Sequence, residues 1–286
     1  MKKIAVISDI HGNFKALEAF LAYLKVHPAD GIICLGDYVT DGPCPERTLE
    51  ILYQMQKTDT CYMIRGNREE YLLDNIDNRE GWKPSSANGT LYYTLMHMTQ
   101  RDMAFFASLP SEREVRMEGC PALYICHGIP GRVRGNVYEE EGLIEKVMEK
   151  LQYSCLLGGH SHHQGIERRK GKLYVNPGSL GFAVDGVGRQ ARFAVLTGTE
   201  EGWEAQLLAI PYDVEGYLRA FTENGLDEIG MTLNKAVKKS IVTGENYFFK
   251  CIQAMEEAAG EAGAASIADM PETEWKKLEE RFGLNG

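Results

Sequence analysis

Nowhere does this 286-residue sequence hold an apolar run approaching the roughly 20 residues that cross a bilayer, so no membrane span is expected. Its opening, Met1-Lys2-Lys3 followed by Ile4-Ala5-Val6-Ile7 and Ser8-Asp9, is too short and too soon charged for a secretory leader. The seven cysteines, at 34, 44, 61, 120, 126, 155 and 251, form no CxxC pair and suggest neither a zinc ribbon nor a disulfide framework. A reducing cytoplasm is the expected location. Positive charge is also short: 31 Lys and Arg stand against 41 Asp and Glu, giving a formal net charge of −10. A chain that neutralises nucleic-acid phosphates nonspecifically needs the opposite balance. Internal repeats are absent too.

What is present is a globular composition, 44% hydrophobic and 25% charged, in a chain long enough for a sizeable core. Short apolar runs at Lys3 to Ser8, Gly31 to Leu35, Cys61 to Ile64, Ala122 to Cys126 and Ser154 to Leu157 predict strands. Helical spacing of Ala16, Leu17, Phe20, Leu21 and Leu24, and a second helix over Thr48 to Met55, place helices between them. That rhythm predicts an α/β domain. After His163, strands at Lys172 to Val175, Ala191 to Leu196 and Ala205 to Ile210 follow one another through turns, which predicts an antiparallel closing section. Beyond Pro211 the chain turns helical, with Val214, Tyr217, Leu218 and Phe221 on one face and Tyr247, Phe248, Cys251, Ile252 and Met255 on another. The expected organisation is a domain over 1–211 and a helical accessory segment over 212–286, packed as a cap or an oligomer contact. Within it, Ala258 to Ala265 is expected to be a flexible link before a final helix over Thr273 to Phe282. The loop Asn78 to Asn88 is the expected mobile surface segment.

Each of the five early runs ends in a group able to bind metal: Asp9-Ile10-His11, Gly36-Asp37, Gly66-Asn67, His127-Gly128 and Gly159-His160-Ser161-His162. In a mostly parallel sheet the carboxyl ends of the strands share one edge, where open α/β folds bind ligands. The adjacent glycines permit positive φ and close backbone approach. In extended backbone, Asp-x-His and His-x-His point both members of each pair the same way. Three Asp or Asn oxygens and four imidazoles are too many donors for one tetrahedral zinc and suit two metals sharing a carboxylate. Taken singly, each has a bland explanation as a turn former, cap or core histidine; together, ending five strands in a row, they do not.

In this order the blocks Asp-x-His, Gly-Asp, Gly-Asn, His and Gly-His-x-His resemble the calcineurin-like metallophosphoesterases over roughly residues 1–210. Gly36-Asp37 with Gly42-Pro43-x-Pro45, and Val175-Asn176-Pro177-Gly178-Ser179-Leu180-Gly181, resemble the bacterial phosphodiesterase-type branch. The resemblance implies a four-layer αββα sandwich. It assigns Asp9, His11 and His162 to one metal and Asn67, His127 and His160 to a second, with Asp37 bridging. Manganese, iron or zinc is the implied cofactor, and the implied chemistry is hydrolysis of a phosphate ester by hydroxide held between two ions.

One residue departs from the family pattern: where a histidine commonly follows the asparagine, this chain has Arg68. Arginine cannot protonate a leaving group. Its expected role is to bind a phosphoryl oxygen, against the bland alternative of a surface ion pair with Glu69 or Glu70. Arg132 and Arg134 follow His127 in a loop and are equally candidates for the distal part of the substrate or for solvated charges. His97 reads as a partly exposed residue of a helix over Leu91 to Met103, His27 as an exposed helix end, and His163 as pointing away from His162. The expected substrate is a small phosphodiester or phosphomonoester. A dinucleoside polyphosphate, a phosphoprotein, and a metal-binding scaffold without activity are the alternatives.

Overall fold

The computed structural model describes residues 1–78 and 83–285, so Arg79 to Trp82 of the expected mobile loop lie outside the described residues. In strand β1 (Lys2–Ile7), Ile4 and Val6 enter one core while Ala5 and Ile7 enter another. Cover on both faces is why the sequence there reads as an unbroken apolar run. Asn13 caps helix α1 (Phe14–Val26), its Oδ1 accepting from the Ala16 amide at 3.0 Å. The chain continues through β2 (Gly31–Cys34), α2 (Pro45–Gln56), β3 (Cys61–Met63) and α3 (Asn67–Asn75).

Helices α4 (Gly89–Met96) and α5 (Gln100–Ser108) replace the single stretch expected over Leu91 to Met103. Thr99 and Asp102 form a capping box that starts the second helix, leaving His97 as the C-terminal cap of the first. There follow β4 (Glu112–Val115), β5 (Leu123–Cys126), α6 (Leu143–Lys150), β6 (Cys155–Leu157), β7 (Gln164–Arg169), β8 (Lys172–Pro177), β9 (Gln190–Thr199) and β10 (Gly202–Pro211). The apolar runs predict neither β4 nor β7. Both are charged edge strands with little apolar sequence to mark them.

The strands form two sheets, ordered β10-β9-β1-β2-β3 and β4-β5-β6-β8-β7. Hydrophobicity marks a strand without saying which sheet it joins, so the one edge inferred from the sequence is the meeting of two. Strands β1, β2 and β3 run parallel, as do β5, β6 and β8, and antiparallel β9 and β10 extend the first sheet. Ile4, Val6, Ile33 and Leu35 meet Leu123, Ile125, Leu157 and Val175 between the sheets. Leu17, Phe20, Leu49 and Leu52 cover the first sheet's outer face, while Ile144 and Met148 of α6 pack on Leu156 and Tyr174 of the second. The layers are therefore αββα.

Five α-helices follow among the described residues: α7 (Val214–Glu223), α8 (Leu226–Ile229), α9 (Met231–Thr243), α10 (Tyr247–Ala262) and α11 (Glu272–Arg281). The apolar face of α7 packs on Phe14, Tyr93, Phe182 and Val184. Helices α9, α10 and α11 share a smaller core around Cys251, Met255, Trp275 and Leu278. Helix α10 runs through the expected flexible link as far as Ala262, because alanine is the best helix former and Ala259 is buried. The second half of the loop before α4 is not a free surface segment either. Ser86 is fully buried, its hydroxyl donating to Glu272 at 2.7 Å and lying 3.1 Å from Thr232 Oγ1. None of the seven cysteines is in a disulfide, and no helix among the described residues is long and apolar enough to cross a membrane.

Candidate metal centre

The turns that follow β1, β2, β3, β5 and β6 meet at one place. Their amides interlock: Asp9 N donates to Gly36 O at 3.0 Å, His11 N to Asp37 O at 3.0 Å, and Gly159 N to His127 O at 2.6 Å. The expected extended geometry of Asp-x-His and His-x-His is not found. Asp9, His11, Asp37, His160 and His162 all hold φ between 48° and 65°. That left-handed region is sparsely populated by residues with a Cβ, and strain of this kind persists where surrounding structure fixes it. Each chain turns sharply at its donor instead of running past it.

The side chains gather into two groups, Asp9 with His11 and His162, and Asp37 with His127 and His160, the donor atoms of each within 4.8 Å of one another. In the first, His162 Nε2 lies 3.2 Å from Asp9 Oδ1 and 3.1 Å from His11 Nε2. In the second, His127 Nε2 lies 3.4 Å from Asp37 Oδ2 and 3.0 Å from Asn67 Oδ1. Asp37 Oδ2 is also 3.9 Å from His11 Nε2, so one carboxylate oxygen stands between the groups. Donors at about 2.1 Å from a four-coordinate ion sit about 3.4 Å from one another, the spacing seen here.

Hydrogen bonding fits a cation as well. The carbonyls of Phe182 and Leu35 can only accept, at 2.8 Å from His162 Nδ1 and 2.7 Å from His127 Nδ1. Both Nδ1 atoms therefore carry protons, and a neutral ring turns an Nε2 lone pair into the site. His127 Nε2 then faces the acceptor Asn67 Oδ1, and buried Asp9 Oδ1 has no donor at all. Positive charge resolves every one of these contacts. Burial opposes ionisation of Asp9, yet the imidazoles of His162 and His127 hold its carboxyl well below the usual range. Asp37, buried beside His127, is held at about 2. Where no ion meets this demand a proton does: burial disfavours charge on His127, but Asp37 and Asp9 push its imidazolium up to about 10, so the Nε2 lone pair is free for a cation only once that proton is displaced. Burial and His127 together pull His160 down to about 4.

Several supporting residues escaped the sequence reading. Asp41, fully buried, places Oδ2 3.3 Å from His11 Nδ1 and 3.2 Å from the Arg68 guanidinium, and accepts from Thr90 Oγ1 at 2.6 Å. It stands against a candidate ligand at the position that outer carboxylates take around metal-binding histidines, within ion-pair distance of the ring. Burial works against its charge, but Arg68 and His11 hold its carboxyl low. Glu69 accepts from the amides of Asp37, Tyr38 and Gly66, each at 2.8 Å, and so fixes the turn carrying Asp37. Burial and the neighbouring Asp37 raise it to about 7. Asn176 donates to Gly159 O at 2.8 Å and Ser179 Oγ to Asp9 O at 2.6 Å, which gives the Asn-Pro-Gly-Ser block its physical purpose. Gly66 is required by proximity: a Cβ there would stand 2.2 Å from Asp37 Oδ1.

Arg68 is not in the alternative surface pair, since Glu69 is taken by amides and Glu70 approaches Arg65 at 3.7 Å. Its partner is Asp41, and its guanidinium lies 5.5 Å from the Phe248 ring centroid. Arg68 lines a cavity of about 110 Å³ with His11, Asp37, Asn67, His160 and His162. Asn246, Phe248 and Phe249, from the start of α10, form its roof. Neither Arg132 nor Arg134 lines it: Arg132 pairs with Glu139, and Arg134 stacks on Tyr71 at 4.0 Å. His27 is exposed and stacked on Tyr23, His97 contacts Tyr93 O at 2.7 Å, and His163 is exposed.

Residues 1–201 match the model of the calcineurin-like phosphoesterase superfamily domain. The chain belongs to this family. It is a phosphoester hydrolase of a metal-dependent family, and its two donor groups are the candidate binuclear centre. An uncharacterised protein of Methanocaldococcus jannaschii is 26% identical over 241 residues, 79% of this chain and 94% of that protein. Serine/threonine-protein phosphatase 2 of Escherichia coli K12 is 23% identical over 196 residues, 62% of this chain and 88% of that protein. The crystal structure of a metallophosphoesterase from Sphaerobacter thermophilus has the same fold, with a TM-score of 0.67 and 20% identity over 85% of this chain and 99% of that one. A hypothetical protein of Pyrococcus horikoshii OT3 superposes with a TM-score of 0.71 and 22% identity over 85% and 99% of the two chains.

Proposed function

We propose that this chain hydrolyses a small phosphodiester or phosphomonoester using two transition-metal ions, manganese, iron or zinc. Asp9, His11 and His162 would hold one ion and Asn67, His127 and His160 the other, with Asp37 between them. The observation that carries the reading is the pair of donor groups with Asp37 Oδ2 reaching toward both. Such ions neutralise charge on phosphoryl oxygens and make hydroxide available near neutral pH, where free water ionises only with a pKa of about 15.7.

The protein's own part is orientation. The Arg68 amide donates to Asp37 Oδ1 at 2.8 Å, which turns Oδ2 toward the imidazoles. The carbonyls of Leu35 and Phe182 hold His127 and His162 with their Nε2 atoms inward. In this reading Arg68, aimed by Asp41, donates to a phosphoryl oxygen as charge builds in the transition state. The residues 212–286 act as an intramolecular cap. A cavity of about 110 Å³ under that cap takes a phosphoryl group, whereas whole-ligand pockets run to about 300–1,000 Å³. That roof favours a small ester over the phosphoprotein that the name of the Escherichia coli relative suggests. A scaffold role is disfavoured because every donor position is filled.

Initial rates on a monoester, a diester, diadenosine tetraphosphate and a phosphoserine protein, with defined manganese, iron or zinc, test the reading. Metal-dependent cleavage of a small ester, with the phosphoprotein untouched, is expected. Cleavage of none of the esters with any of the metals would sink it.

A further inference from the structure

The phosphorus chemistry is absorbed by the floor of the cavity, but one wall residue has no role in it. Phe249 is 51% exposed, and among the described residues every other phenylalanine is buried or half-buried. Leaving much of a phenyl ring in water forgoes stabilisation that its burial would contribute. The position is fixed rather than accidental. Asn246 caps α10 by accepting from the Phe249 amide at 2.9 Å, so the ring leaves the helix's first turn at a set angle. The turn beneath is tied to the centre's own loop: Gly186 N donates to Gly244 O and Arg189 N to Ile241 O, each at 2.9 Å. Phe248 beside it is already engaged, edge-on to Phe182 at 6.3 Å and facing Arg68.

We infer that Phe249 is a specificity residue, a stacking surface for a planar aromatic ring on the alcohol side of the substrate, a nucleobase in particular. This rests on the reading of the site as a phosphoesterase. The chemistry of the wall selects such a group. A phosphoryl group drawn to Arg68 and the histidines leaves its ester arm at the mouth of the cavity, because about 110 Å³ does not enclose a nucleoside. Phe249 brings an exposed aromatic ring to that lining, and a base stacks on such a ring without needing hydrogen-bond readout. A bare sugar or alkyl arm offers no ring to cover it.

Adenosine 5′-phosphate and ribose 5-phosphate test this cleanly, each as the monoester and as its methyl diester. Members of each pair leave through the same primary 5′-oxygen of ribose and differ in the base that the leaving alcohol carries. We expect kcat/KM to favour the base-bearing member by about 5- to 150-fold, the measured range for one base on one ring. Phe249→Ala should shrink that ratio to near one, and Phe249→Tyr should keep it. Calorimetric binding of the corresponding non-hydrolysable phosphonates should show the same ratios, independent of turnover. Equal kcat/KM for the two members in the unaltered protein, or a ratio that survives Phe249→Ala, overturns the assignment. So does cleavage of p-nitrophenyl phosphate or its diester with none of the adenosine esters accepted. If those generic esters are also untouched with every metal, the phosphoesterase reading itself fails.

Discussion

The floor and the roof of the cavity come from opposite ends of the chain and are held by different forces. In the floor, five strand ends stand shoulder to shoulder, their turns interlocked by amide hydrogen bonds and bent into left-handed backbone. In the roof, the start of one helix leans over the site, secured by a few hydrogen bonds to residues 186–189 and by its own satellite core. Chemistry that tolerates no error in donor position is built on the rigid part. In the proposed function, choice of substrate falls to the part that can change without disturbing the candidate metal donors.

Substitutions in floor and roof should separate cleanly. The largest effect in turnover belongs to Arg68→Ala, expected to cut kcat by about 10²–10³, as loss of one transition-state donor does. Metal content measured on the same sample should be unchanged, and loss of an ion would move Arg68 from substrate to structure. Next comes Asp41→Asn. Weakening its hold on His11 should cost about 10–100-fold in affinity for one ion, read by chelator competition. In the roof, Gly188→Ala would place a Cβ 2.1 Å from Val242 O and push on the α9–α10 turn. Urea unfolding should show a loss of about 1–3 kcal/mol, with KM raised and both ions retained.

The smallest effect is at Asp185, which pairs with buried Arg192 at 2.6 Å in the loop beneath the roof. Partial burial raises its carboxyl pKa, but the Arg192 hydrogen bonds and charge outweigh this and lower it. A depressed carboxylate stabilises the fold above its unfolded pKa of about 3.9, and that contribution disappears as pH falls through the lower folded value. Asp185→Asn should therefore cost about 1 kcal/mol near pH 6, and its Tm should converge with that of the unaltered chain as pH drops below 4. A gap that persisted at low pH would mean that shape, not charge, holds the loop.

The same divide explains what the sequence could reveal. The candidate donors were legible because each early apolar run ends within three residues of one, as Ile7 precedes Asp9 and Cys126 precedes His127. Their partners were not, since Asp41 and Glu69 carry no periodic signal and act through contacts with residues such as Thr90 and Gly66. Extended geometry for Asp-x-His was a sound default that packing overrode, with the positive φ at Asp9 and His11 imposed by amide bonds to β2's turn. Edge strands β4 and β7 were hidden by their own charges. The roof was hidden for another reason: apolar spacing marks a buried helix face but says nothing of where that helix docks, and Phe249 lies off that face.

The proposed chemistry turns on Asp37 serving two ions at once. Metal content per chain, measured by mass spectrometry after reconstitution with manganese or iron, tests that most directly. Two equivalents are expected in the unaltered protein, and Asp37→Ala should fall well short of two because its loss disturbs both ions. Two full equivalents retained by Asp37→Ala would contradict the account.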